Sequence, residues 1–332
     1  MKKVIAIVLF ACMALSFAAC GASQAEYKLG MGVVVSTDSS AANNAQVDST
    51  FAAVVLDKDN KIVACRLDCA QNKMDVTDGA VDTAKEFLTK MELGDDYNMV
   101  KFSNATIEWY DQAKNFETYV IGKTAAEVSA IETTVNEEGH NVAVDEKLFA
   151  GCSISIEDFI GAVVKACNDE KGASFKAGKD FTLGVAAKTT AEESTAADAE
   201  NDGVVKMYTE FGAAVIGADG KILAALTDAT QPQIAITAAG EIGDITFKGT
   251  KRELGSDYNM VAYGNAIAEW DAQAKAFADY TVGKTAAEVL AIETVVNEEG
   301  HDVSVDETLL ASCTMAIGGM KAVIAQAAEY AR

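Results

Sequence analysis

This chain is written twice, and that repetition limits what it can fold into more than any other feature. Phe51-Ala-Ala-Val-Val-Leu-Asp-Lys-Asp-Asn-Lys-Ile-Val aligns with Phe211-Gly-Ala-Ala-Val-Ile-Gly-Ala-Asp-Gly-Lys-Ile-Leu at an offset of 160. From Glu92 onward the offset is 161: Glu92-Leu-Gly-Asp-Asp-Tyr-Asn-Met-Val meets Glu253-Leu-Gly-Ser-Asp-Tyr-Asn-Met-Val, Trp109 meets Trp270, and Val135-Asn-Glu-Glu-Gly-His140 meets Val296-Asn-Glu-Glu-Gly-His301. Copies of about 140 residues are long enough to bury a core each, which separates them from the short units of a solenoid. The expected fold class is α+β: two tandem homologous domains, each an antiparallel hairpin-rich sheet packed with a few helices. Repeat 1 spans 27–169, a linker 170–180, and repeat 2 spans 181–332.

The start of the chain has its own pattern. Lys2 and Lys3 precede an apolar run from Val4 to Phe17, and Ala18-Ala19-Cys20-Gly21 follow. This order is that of a secretory signal, and the run is shorter than the roughly 20 residues a spanning helix needs. The end of the run resembles a bacterial lipoprotein cleavage box. The resemblance makes 1–19 a signal peptide, Cys20 the lipidated first residue and 20–26 a tether to the bilayer on the extracytoplasmic face of the membrane. Loss of Lys2 and Lys3 with the leader takes the formal charge from −23 to −25. Nucleic acid needs a basic footprint, so it is excluded as a partner. Attachment to an anionic membrane would rest on the lipid.

Five cysteines lie beyond Cys12 and Cys20: Cys65, Cys69, Cys152, Cys167 and Cys313. Their odd number and the absence of a Cys-x-x-Cys pair argue against a disulfide framework or a zinc site. Cys65 and Cys69 on one strand would stand about 13 Å apart, too far to bridge.

Tyr27–Val35 reads as a strand, and Phe51–Leu56 with Lys61–Asp68 as a hairpin. In the second arm Val63, Cys65 and Leu67 alternate with Arg66 and Asp68, which predicts one buried and one wet face. Residues 80–92 and their counterparts in the second copy are expected to be extended. Asn104–Val120 predicts an amphipathic helix with Trp109, Ala113, Phe116 and Tyr119 or Val120 on its apolar stripe. Thr124-x-x-Glu127 and Thr285-x-x-Glu288 are capping boxes. Thr189–Asp202 is polar and without period, and reads as a mobile loop. His140 and His301 each stand alone in a turn, which favours a turn role over metal binding.

The segment with chemical interest is Ala150-Gly151-Cys152-Ser153-Ile154-Ser155-Ile156, repeated as Ala311-Ser312-Cys313-Thr314-Met315-Ala316-Ile317. Each copy sets a hydroxyl at the mouth of a helix, where unpaired N–H groups and the dipole can hold an anion. The plain alternative is a strand-to-helix turn with Ser155 as N-cap. The run from Asp145 through Ser153 to Phe159 resembles the flavin-attachment end of FMN-binding domains, found in extracellular electron-transfer lipoproteins and in the C subunit of sodium-pumping NADH:quinone oxidoreductase. In that family a flavin transferase joins FMN, through its phosphate, to a Ser or Thr. The resemblance assigns attachment to Ser153 and Thr314, flanked by Gly151 and Cys152 in one copy and Ser312 and Cys313 in the other. Trp109, Trp270, Tyr97 and Tyr258 become candidates to pack on the ring. It implies FMN, covalent or not, in each repeat, and a lipid-anchored relay of electrons from a membrane dehydrogenase or quinol to extracellular acceptors, with no acid–base catalyst. The competing reading is a non-redox surface lipoprotein that binds a small ligand or a protein partner.

Overall fold

The computed structural model describes residues 24–264, 266–298 and 300–332, so the expected leader 1–19 and the expected lipidation at Cys20 fall outside the described residues. In chain order the first half forms strands β1 (Ala25–Ser36), β2 (Asn44–Leu56) and β3 (Ile62–Asp75), followed by helices α1 (Lys90–Leu93), α2 (Met99–Phe102), α3 (Trp109–Val120) and α4 (Ala125–Ser129). A small hairpin, β4 (Thr133–Val135) and β5 (Asn141–Ala143), leads to α5 (Glu146–Gly151), α6 (Glu157–Cys167) and β6 (Ala173–Ala177). The second half forms β7 (Phe181–Thr190), β8 (Gly203–Lys206), β9 (Tyr208–Gly217), β10 (Ile222–Thr230), β11 (Gln233–Ile236) and β12 (Ile242–Thr246). It continues with α7 (Lys251–Leu254), α8 (Met260–Gly264), α9 (Trp270–Thr281), α10 (Ala286–Leu290), β13 (Thr294–Val296), β14 (Asp302–Ser304), α11 (Glu307–Leu310) and α12 (Gly318–Glu329). The strand pairings are antiparallel and the class is α+β.

The first sheet has the order β3-β2-β1-β6 and the second β10-β9-β7, with a small third sheet β12-β11-β8. On β2, Ala52, Val54 and Leu56 face α3 and α6, while the alternate residues Phe51, Ala53 and Val55 face the second sheet. There they meet Phe211, Ala213 and Val215 of β9, and the rings of Phe51 and Phe211 lie 5.1 Å apart. The layers therefore run helices, sheet, sheet, helices, and the two halves share a core. Close approach of the outer helices depends on glycine: a Cβ on Gly30 of β1 would lie 2.0 Å from the Ala166 carbonyl oxygen of α6, and one on Gly184 of β7 would lie 1.8 Å from that of Ala327 in α12.

The structure departs from several expectations. Asp68, expected on a wet face, is buried, and Val63 is exposed because a bulge between Val55 and Leu56 breaks the alternation. β6 forms inside the linker 170–180 and pairs with β1 from Leu29↔Ala173 to Ala25↔Ala177. Extended structure in the segment before the first helix forms in the second half as β12, whereas residues 80–89 hold neither helix nor strand. The helix expected from Asn104 starts at Trp109, and Val120 rather than Tyr119 completes its buried stripe. The polar segment after β7 is tied down: Ala191 and Ser194 are buried, and the Ser194 hydroxyl accepts from the Lys206 N–H at 2.9 Å. The five cysteines are free and buried. No helix among the described residues is long and apolar enough to cross a membrane.

Candidate functional site

The segment 152–156 runs between α5 and α6, and the backbone N–H groups of Cys152, Ser153, Ile154 and Ile156 are already engaged. Asp145 caps α5, accepting from the N–H groups of Lys147 at 2.8 Å and Leu148 at 3.1 Å. Gln112, fully buried on α3, points its Oε1 at the next turn, where it accepts from Ser153 N–H at 2.8 Å, Ile154 N–H at 3.2 Å and the Ser153 hydroxyl at 3.3 Å. Its Nε2 donates to the Ile107 carbonyl at 3.2 Å, which fixes the orientation of the amide. The second half repeats this: Gln273 Oε1 accepts from Thr314 N–H at 2.9 Å and its hydroxyl at 3.3 Å, and Gln273 Nε2 donates to the Ala268 carbonyl at 2.8 Å.

Ser155 does not cap α6. The N-cap is Ile156, without a side-chain bond, and its N–H donates to the Asn141 carbonyl at 3.0 Å. Glu157 and Asp158 occupy the first turn. A phosphate at Ser153 would thus share the cavity with the Asp158 carboxylate and find the N–H groups of Ser153 and Ile154 taken by Gln112. Both features disfavour a phosphate-anchored flavin at the Ser153 hydroxyl. Gly151 and Cys152 also serve the fold: the Gly151 carbonyl accepts from Asn115 Nδ2 at 2.8 Å, and burial pushes the Cys152 thiol up to about 12. In the second half the Ser312 hydroxyl donates to the Leu309 carbonyl, and Cys313, also buried, is pushed up to about 11.

Ser153 nevertheless borders a cavity of about 590 Å³. Trp109 and Phe159, edge to face at 5.6 Å, form its apolar wall, and Asp48, Lys90 and Asp158 supply charge. Exposed Glu137, Glu138 and His140 of the turn after β4 also line it. Lys90 Nζ stands over the rings of Tyr97 at 4.9 Å and Trp109 at 5.3 Å. The capping box of α1, in which Thr89 and Glu92 bond reciprocally, places the lysine there. Asp68 holds the same turn by accepting from Met91 N–H at 3.0 Å, and burial raises its carboxyl to about 7.

The equivalent space in the second half is filled by the chain itself. Tyr208 stands at the repeat position of Asp48, Glu210 at that of Thr50, and Gly319 at that of Asp158. Lys251, the counterpart of Lys90 and itself buried, is ringed by Tyr208 at 4.6 Å, Tyr258 at 4.8 Å and Trp270 at 5.5 Å. Its Nζ donates to the Tyr208 hydroxyl at 3.4 Å. Glu210 takes the volume that a side chain at 319 would need, since a Cβ on Gly319 would lie 1.4 Å from Glu210 Oε2. Burial raises the Glu210 carboxyl to about 7, against the nearby Lys251 and Lys188.

The structure therefore brings Ser153 and Trp109 to one cavity, sets Tyr97 behind Lys90, and leaves Trp270 and Tyr258 around a lysine that already has a third ring. Sequence reasoning missed Gln112, Gln273, Lys90 and Lys251. It also missed the contrasts Asp48/Tyr208 and Asp158/Gly319, though these are charge changes inside otherwise similar copies. No group of histidine, cysteine and acidic side chains among the described residues is arranged to hold a metal ion. Comparison of this chain with family models, curated proteins and solved structures gave no match, so the functional reading rests on the site's own geometry.

Proposed function

We propose that this chain is a lipid-anchored, extracytoplasmic binding protein that holds one small organic ligand, in the cavity of its first half. The observation that carries the reading is the unequal fate of one site in two copies: Asp48 and Thr50 leave about 590 Å³ beside Lys90 and Trp109, whereas Tyr208 and Glu210 fill the matching space beside Lys251 and Trp270. A volume of this size, with aromatic walls and a few converging polar groups, is that of a small-molecule site.

An electron relay with one FMN per repeat is the reading implied by the sequence resemblance, and the two accounts differ in stoichiometry. Intact and native mass, with a visible spectrum, of the mature protein produced beside a flavin transferase tests both. One non-covalent ligand per chain, lost on unfolding, is the expected result. Two covalent FMN per chain would overturn the one-site reading in favour of the relay. No bound species, together with no binding of any probe named below, would overturn it as well.

A further inference from the structure

We propose that the ligand of the first-half cavity is an arylalkylammonium, a flat aromatic ring joined by a short chain to a cationic amine. This rests on the one-site reading above and names the chemistry of the same site. The second half supplies the argument, because it fills its own site with a side chain. There the Tyr208 ring is the third of three rings around the Lys251 ammonium, and its hydroxyl accepts from Lys251 Nζ. In the first half the two other rings are kept, as Tyr97 and Trp109 around Lys90, and the third is missing. A bound ring completes the set and places its π face against Lys90, an attraction of the cation–π type.

The other end of the ligand follows from what replaces the tyrosine. Tyr208 springs from β9 at the repeat position of Asp48, so where the second half has the base of a tyrosine side chain the first half has a carboxylate. Gln46 Nε2 donates to both Asp48 oxygens, at 3.0 and 2.8 Å, and holds that carboxylate in place. A ring against Lys90, set outward from where the Tyr208 ring lies so that a one- or two-carbon chain fits between it and Asp48, ends in a group that must be a cation or a strong donor. The rest of the cavity agrees in sign: Asp158, Glu137 and Glu138 line it against the single ammonium of Lys90, with His140 at the same turn. Such a field favours a cationic guest and disfavours a carboxylate or phosphate.

The test is calorimetric titration of the mature protein with four probes: tyramine, 2-cyclohexylethylamine, phenylacetate and FMN. Tyramine should bind at one site per chain, 2-cyclohexylethylamine about fivefold or more weaker, on the scale of one cation–π contact, and phenylacetate not measurably. Equal binding of the cyclohexyl amine, or tighter binding of phenylacetate, overturns the proposed ligand class. Binding of FMN without tyramine overturns the class and leaves the cavity reading standing. Two variants locate the site. Asp48→Tyr should abolish tyramine binding, with an unchanged circular dichroism spectrum showing that it folds. The triple variant Tyr208→Asp, Glu210→Thr, Gly319→Asp should raise the stoichiometry from one to two. Undiminished binding by folded Asp48→Tyr places the ligand elsewhere and overturns the one-site reading too. A triple variant that folds and still binds one overturns the inference drawn from the second half.

Discussion

If the sheets of the two halves share one core, damage at their interface must be felt in both. Phe211→Ala removes a fully buried ring that lies 5.1 Å from the Phe51 ring across the two sheets. Lost transfer energy and the remaining cavity together cost about 3–5 kcal/mol for a phenylalanine of this kind. Up to about 1.5 kcal/mol of it is pairwise and should appear as coupling in a double-mutant cycle with Phe51→Ala. The chain has two tryptophans, Trp109 in the first half and Trp270 in the second, so Trp109→Phe and Trp270→Phe each leave one reporter. Urea unfolding followed by fluorescence should give the same midpoint from either tryptophan. Phe211→Ala should lower both midpoints together, by about 1 M or more at a slope near the upper end of 1–3 kcal/mol per M. A fall seen by Trp270 alone, with the first half unfolding at its original midpoint, would refute the shared core.

Two further predictions follow from the buried charges. Burial raises the carboxyls of Asp68 to about 7, Asp228 to about 6 and Glu210 to about 7, so the native state binds protons that the unfolded chain releases between about pH 4 and pH 7. Stability measured by urea unfolding should therefore increase as the pH is lowered from 8 to 5, and Asp68→Asn should flatten that dependence. An increase in stability from pH 5 to pH 8 would contradict the assignment. Arg252 on α7 of the second half pairs with Asp169, at the end of the first, at 3.0 Å with both side chains buried, and Asp169 Oδ2 also accepts from the Met31 N–H at 3.1 Å. Arg252→Ala leaves that carboxylate buried without its cation and should cost about 3–5 kcal/mol; Arg252→Ala combined with Asp169→Asn should recover part of it.

How much of this was legible depends on the kind of signal. The hairpin and the amphipathic helix follow from period, because one strand or one helix face is a local property. The sheet-on-sheet contact is not local, yet a trace of it stands in Phe51-Ala-Ala-Val-Val-Leu56, a continuous apolar run of the sort seen in strands buried on both faces. Ser153 was found from its loop. Its partner Gln112 was not, since a polar residue inside a helix carries no sign of the turn it reaches 41 residues later. Lys90 looks like any helix-start lysine until Tyr97 and Trp109 are folded under it. The unequal sites were readable in principle at Asp48/Tyr208 and Asp158/Gly319, but only once the fold shows that these positions line one volume.

The first-half cavity lies open beside Lys90 and Trp109, while its counterpart is closed by the protein's own side chains. The most direct measurement is a crystallographic electron-density map of the mature protein in complex with tyramine. Density for one ligand is expected between Asp48, Lys90 and Trp109, with Tyr208 and Glu210 in place beside Lys251. Ligand density at Lys251 with Tyr208 displaced, or a ligand bound away from Asp48 and Trp109, would contradict it.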